Sequence, residues 1–295
     1  MRERLVRRET GGSVAMREMD SPGQGMRISN QIFIVTALLL IAITFTACEV
    51  HDDRKNVPAK SGIASSAQTP QRPGGAAAIL LFNGTGTSPN DAKAVETILR
   101  GNHLDYATVN SSQLNQMGEP QIRGYRLLIV PGGNFIDIGN SLSSGTTANI
   151  RNAVQKGLNY LGICAGGFLA GASSHYNSLN LTSGVNFGFY SAENQGIRKA
   201  TVAIVAAGGP TLDQYWEDGP QFTGWGGIVA KYPDGTPAIV EGAFGKGWVI
   251  LTGVHPEAPE AWRGGMSFST PAAADNAYAG TLIQAALHGT TLAHY

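Results

Sequence analysis

Short runs that are apolar almost throughout, each ended by a turn and followed by a helical pattern, most constrain how this chain can fold. Residues 76–82, 127–130 and 158–163 are such runs, and 106–109 is a shorter fourth. A strand exposed on one face alternates apolar and polar side chains, whereas one buried on both faces reads as continuous apolar sequence. After the first run come a tight loop, Asn83-Gly84-Thr85-Gly86-Thr87, and a helix start with Ser88 as N-cap, Pro89 as first helical residue and Asp91 completing a capping box. Val95, Ile98 and Leu99 give that helix its buried stripe. Another helix begins at Thr146 or Thr147, places Ile150 and Val154 one turn apart and stops at Gly157. This alternation predicts an α/β fold: a largely parallel sheet flanked by helices, with ligands at the carboxyl ends of its strands. Residues 201–206, 228–232, 238–241 and 248–251 read as further strands, Tyr232-Pro233-Asp234-Gly235 as a turn, and 273–288 as a last helix.

Residues 1–74 stand outside that pattern. From Ile28 to Cys48 there is no charged residue, and 32–45 is nearly all apolar, with Arg27 before it and Phe45-Thr46-Ala47-Cys48 at its end. A positive flank, a short apolar core and a small residue at the cut make a signal peptide. Its ending resembles a bacterial lipoprotein signal, which implies a lipid on Cys48. Glu49 in place of an aspartate then implies the outer membrane, facing the periplasm. The competing reading is an uncleaved anchor helix, for which the apolar run is slightly short. A start at Met26 would give a leader of ordinary lipoprotein length and make residues 1–25 an over-long start. Residues 49–74 are polar and aperiodic and read as a flexible tether with a reach of roughly 25–30 Å. The expected organisation is a signal peptide at 1–47, the lipidated cysteine and tether at 48–74, and the α/β domain at 75–295.

Charge narrows the partners. The whole chain balances at 21 basic and 21 acidic residues, but residues 75–295 hold 11 basic and 14 acidic, a net of −3. With no basic run, this domain is not expected to bind nucleic acid. The two cysteines, Cys48 and Cys164, each have their own explanation, so no disulfide scaffold is expected.

The chemistry concentrates around Gly162-Ile163-Cys164-Ala165-Gly166-Gly167. A nucleophile elbow needs a strand, a sharp turn and a helix, with small residues two before and two after the nucleophile. Gly162 and Gly166 hold those places, and the turn would aim the Ala165 N–H at the same point as the Cys164 sulfur. A buried structural cysteine is the competing reading. A thiol needs a base. Among His103, His175, His255, His288 and His294, His255 stands out because it follows the apolar run 248–251 in Gly253-Val254-His255-Pro256-Glu257. Glu257 is placed to hold its tautomer, with Glu260 as runner-up. Gly132 and Gly133, at the end of the run 127–130, are candidates for the other half of an oxyanion hole beside Ala165. Tyr215, Trp216, Phe222 and Trp225 are pocket or core aromatics. No metal and no cofactor is expected.

These residues resemble class I glutamine amidotransferases. More narrowly, Asn83-Gly84-Thr85-Gly86-Thr87-Ser88-Pro89, Ile129-Val130-Pro131-Gly132-Gly133, Gly162-Ile163-Cys164-Ala165-Gly166 and the stretch from Gly245 to Glu257 resemble the biotin-protein ligase N-terminal-domain family. The resemblance spans about residues 76–290. It implies the amidotransferase-like, flavodoxin-like fold and a triad of Cys164, His255 and Glu257. It supplies no substrate, and without a ligase catalytic domain in this sequence it implies no ligase activity.

The expected function is a thiol hydrolase acting on an amide or related acyl bond of a small-molecule or peptide-like substrate at the cell envelope. The alternative is an inactive binding or sensing module on the same fold. A dienelactone-hydrolase-like enzyme would place its acid between nucleophile and histidine, and here the acid follows the histidine.

Overall fold

The computed structural model describes residues 77–190 and 198–295. The signal segment, Cys48 and the tether lie outside the described residues. Among the described residues, no helix is long and apolar enough to cross a membrane.

Four of the apolar runs are strands: β1 (Ile79–Phe82), β2 (Tyr106–Val109), β3 (Leu127–Val130) and β4 (Asn159–Ile163). They pair in parallel, Ile79 opposite both Tyr106 and Leu127, and Leu128 opposite Tyr160. The continuous apolar sequence is explained by burial on both faces. On one face Leu81, Ile129 and Leu161 pack against Val95 and Leu99 of α1 (Pro89–Gly101) and Leu282 of α7 (Ala272–His288). On the other, Leu80, Leu128 and Val130 pack against Ile150 and Val154 of α5 (Ser144–Gln155) and Leu169 of α6 (Ala165–Ala170).

The second half adds β5 (Lys199–Ala206), β6 (Thr211–Glu217), β7 (Gly227–Lys231), β8 (Pro237–Phe244) and β9 (Gly247–Thr252). One nine-stranded sheet results, in the order β2-β1-β3-β4-β9-β8-β7-β5-β6. β9 pairs parallel with β4 and antiparallel with β8, so it joins a parallel half to an antiparallel one. The expected parallel sheet is therefore the half that carries the helices; short connections such as Tyr232 to Thr236 build β7–β9 as a meander, and β5–β6 is a hairpin whose β5 pairs with β7.

Local signals set the helix starts. Ser88 Oγ accepts the Asp91 N–H (3.4 Å) to open α1, and Ser143 Oγ accepts the Thr146 N–H (3.0 Å) to open α5. Three short helices were not expected: α2 (Ser111–Asn115), α3 (Glu119–Ile122) and α4 (Phe135–Ser141). They are too short to show a period, yet Asn110 and Gln113 cap each other across the start of α2, and Asn134 caps α4.

Candidate active site

β4 and β9 lie side by side with Gly162 opposite Leu251 and Ile163 opposite Thr252, so residues leaving their carboxyl ends meet. Cys164 is the first residue after β4. Its N–H donates to the Thr252 carbonyl (2.8 Å), and its φ of 48° lies where residues with side chains are seldom found. The chain turns at once into α6, and the Gly167 and Phe168 N–H groups donate to the Cys164 carbonyl at 2.9 and 3.1 Å. The flanking glycines are steric requirements. A Cβ on Gly162 would lie 2.5 Å from the Gly166 oxygen, and one on Gly166 would lie 2.0 Å from the Val130 oxygen. Cys164 is 6% exposed, its thiol lies 3.6 Å from the Glu217 carbonyl it donates to, and it lines a cleft of about 580 Å³.

His255 reaches the same cleft from β9. Its N–H donates to the Tyr215 carbonyl (2.8 Å), and Tyr215 and Trp262 meet its ring edge-on with centroids 5.8 and 6.0 Å away. Pro256 turns the chain so that Glu257, buried, accepts from His255 Nδ1 at 3.0 Å. The same nitrogen lies 3.1 Å from Asp91 Oδ1. In sequence Asp91 shows only the signature of a helix start. Its backbone N–H does serve the cap, while its carboxylate points inward to His255. Glu260, the runner-up, is exposed on the single turn Glu260–Trp262, and Asp91 takes the second carboxylate place. His288 contacts Arg126 and His294 contacts Glu241, both away from Cys164.

The oxyanion candidates divide. Gly133 and Ala165 line the cleft with Cys164. An antiparallel bridge joins Gly133 to Thr87 through the Ser88 and Asn134 N–H groups and does not use the Gly133 N–H. As first residue of α6, Ala165 has an N–H without a partner inside the helix. Gly132 instead makes room: a Cβ there would lie 2.1 Å from Asp91 Oδ1 and 2.7 Å from His255 Cε1. Of the flagged aromatics, Trp216 and Phe222 are core, Tyr215 packs on His255, and Trp225 is half-buried.

Electrostatics follow from this packing. Burial by itself pushes His255 down, but its charge interactions with Cys164 and Glu257, with the contacts to Asp91 and Cys164, outweigh it and hold the imidazole well above its ordinary value. Burial pushes Glu257 up, His255 opposes, and Asp91 adds to the rise, which wins. Burial also raises Asp91, yet His255 and Ser88 outweigh it and its carboxyl is lowered. Asp91 is thus the more firmly ionised of the two. The donor atoms of Asp91, His255 and Glu257 lie within 4.8 Å of one another, a spacing that can hold a metal ion. A metal requires neutral imidazole, which the raised pKa of His255 opposes.

Residues 77–198 match the family model described as "Biotin-protein ligase, N terminal". That match includes Cys164 and ends before His255. A biotin–protein ligase of Schizosaccharomyces pombe is 27% identical over 210 residues, covering 61% of this chain and 33% of the ligase. The chain thus spans about a third of the length of the curated relative it matches. Among solved structures, a glutamine amidotransferase is 19% identical with a TM-score of 0.47, covering 61% of this chain and 90% of that one. A cytoplasmic protein from Salmonella typhimurium is 12% identical with a TM-score of 0.44, covering 70% and 98%.

Proposed function

We propose that this chain is a cysteine-nucleophile hydrolase acting on an amide or related acyl bond. One observation carries the reading: Cys164, held at positive φ between β4 and α6, opens onto the same cleft as a buried His255 that is backed by Glu257 and Asp91. The turn then serves as a nucleophile elbow. Cys164 gives its thiol proton to His255 and its sulfur attacks the carbonyl carbon, forming a C–S bond while the C=O electrons move onto oxygen. In this reading the N–H groups of Gly133 and Ala165, which line the cleft, hold that oxyanion. Collapse breaks the C–N bond, and the departing amine takes a proton from His255. Water then adds to the thioester, gives its proton to His255, and the acid leaves as the C–S bond breaks. Glu257 fixes the ring through Nδ1, and Asp91 is a second carboxylate on the same nitrogen.

Hydrolysis needs no partner to receive ammonia, which suits a protein outside the cytoplasm. The signal-like segment supports an envelope location, with a lipid on Cys48 anchoring the domain at the outer membrane facing the periplasm. The substrate is a small molecule or peptide-like amide.

The test is alkylation of the full chain by iodoacetamide near neutral pH, followed at the Cys164 peptide by mass spectrometry. Cys164 should react about tenfold or more faster than free cysteine, and His255→Ala should remove the excess. Reaction at the free-thiol rate in the unaltered protein sinks the reading and leaves a ligand-binding module on this fold.

A further inference from the structure

Large apolar side chains exposed to water are few among the described residues: Ile136, Phe189, Val205 and Tyr295. Two of them, Ile136 at 43% and Phe189 at 37%, line the Cys164 cleft. They are part of a wall. Phe135 stacks on Phe168 with centroids 4.4 Å apart, and Phe189 leans on both at 6.0 and 4.9 Å. The wall is built from the site's own elements, because Phe168 sits on α6 one turn after Cys164 and Phe135 opens α4 two residues after Gly133. The other rim is polar: Arg198, Glu217 and Asp218, with Arg198 ion-paired to Asp218. Apolar surface left bare beside a nucleophile is stabilised when something apolar covers it.

We propose that this cleft takes amide substrates carrying an aryl or branched-alkyl group within about three bonds of the scissile carbonyl, packed on Phe135, Phe168 and Phe189. The polar remainder of the substrate faces the Arg198–Asp218 rim. Glutamine, whose atoms beyond its side-chain amide end in an amine and a carboxylate, leaves the wall uncovered and is a poor substrate. A cleft of about 580 Å³ has room for an aryl amide of this kind. The inference rests on the hydrolase reading for the word substrate, but the binding preference can be tested without turnover.

Two thiol-alkylating probes test it on the full chain: 2-chloroacetamide and N-benzyl-2-chloroacetamide. Each forms a C–S bond at Cys164 and releases chloride. Rates at the Cys164 peptide are divided by each probe's rate with glutathione. The benzyl probe should be favoured about tenfold or more. Phe189→Ser and Ile136→Ser, both at exposed positions, should cut that preference to about threefold or less. Val205→Ser, equally exposed on β5 and outside the cleft, should keep it. A preference near one, or a preference unmoved by both cleft substitutions, overturns the proposal. Failure of the hydrolase reading looks different: Cys164 would react at the free-thiol rate with iodoacetamide, while the ratio of the two chloroacetamides would still report on the wall.

Discussion

At the amino ends of β3, β4 and β9 a hollow of about 740 Å³ is lined by Arg123, Arg126, Lys156 and Lys246, while at the carboxyl ends of β4 and β9 the cleft over Cys164 encloses about 580 Å³. The charged side chains of the larger hollow are all of one sign, yet it offers less chemistry. Its cations are solvated or paired, as Arg123 and Lys156 are with Glu119 at 2.7 and 2.8 Å. Such exposed pairs do little beyond lowering the pKa of Glu119. At the smaller site Cys164, Asp91 and His255 are buried, although Arg198 and Glu217 on the rim are exposed, and the backbone of Cys164 is held at positive φ. Volume does not distinguish the two ends. What distinguishes them is where the fold has placed buried charge beside strained backbone, because both cost stability that a purely structural turn would not keep.

The largest effect should come from swapping the two ends as targets. Cys164→Ala should lower amide or ester hydrolysis by about 10³-fold or more, whereas Arg123→Ala combined with Lys156→Ala should stay within about twofold. Hydrolysis of acyl 4-nitroanilides followed in absorbance measures both. A large loss from the double substitution at the amino end would reverse the comparison.

Much of this asymmetry was legible in the sequence, and the part that was not has a physical reason. The tight turn at Cys164 between Gly162 and Gly166, and the His255–Glu257 contact, were legible because each is a local pattern. Strands β1, β3 and β4 were legible because burial on both faces leaves them almost free of polar residues, while the edge strand β2 keeps Thr108 exposed. β6 was missed because its burial follows no alternation: Leu212, Gln214, Tyr215 and Trp216 are buried while Thr211 and Glu217 are not. Asp91 was missed for a different reason. Ser88-Pro89-Asn90-Asp91 is a good helix start, and the local explanation is correct for its backbone. Its carboxylate answers to a residue 164 positions later, which the lateral order β1-β3-β4-β9 of the sheet brings close. The clue present in the sequence was Gly132, whose missing side chain leaves the space that Asp91 and His255 fill.

That clue can be tested as the next-largest effect. Gly132→Ala should reduce hydrolysis by about 10²-fold, because a Cβ 2.1 Å from Asp91 Oδ1 displaces the pair that orients His255. The overpacking should also cost about 1–3 kcal/mol of stability, read by chemical denaturation. An alanine variant with full activity would mean that the Asp91–His255 contact is irrelevant to turnover, and the carboxyl-end site would then rest on Glu257 alone.

The smallest and most discriminating effect separates the two carboxylates. Glu257 holds the aligned bond to Nδ1 but does not line the cleft, whereas Asp91 does both less and more: it lies off that bond, and it faces the substrate space. Asp91→Asn and Glu257→Gln should each slow kcat by about tenfold, and only Asp91→Asn should also raise KM. Each removes a negative neighbour of the imidazolium, so the His255 ring signals in an NMR titration should move to lower pH in both. The linked stability has a definite sign. His255 titrates in the folded protein above its unfolded value, so its contribution is complete below about pH 6.5 and is lost as pH rises through the folded value. In either variant that loss should begin at lower pH in thermal melts. If Asp91→Asn leaves the His255 titration where it was, the 3.1 Å contact is mere proximity and Glu257 is the sole orienting acid. If it moves the titration and KM together, the carboxyl-end site is set apart from the amino-end hollow by a residue that binds and orients at once.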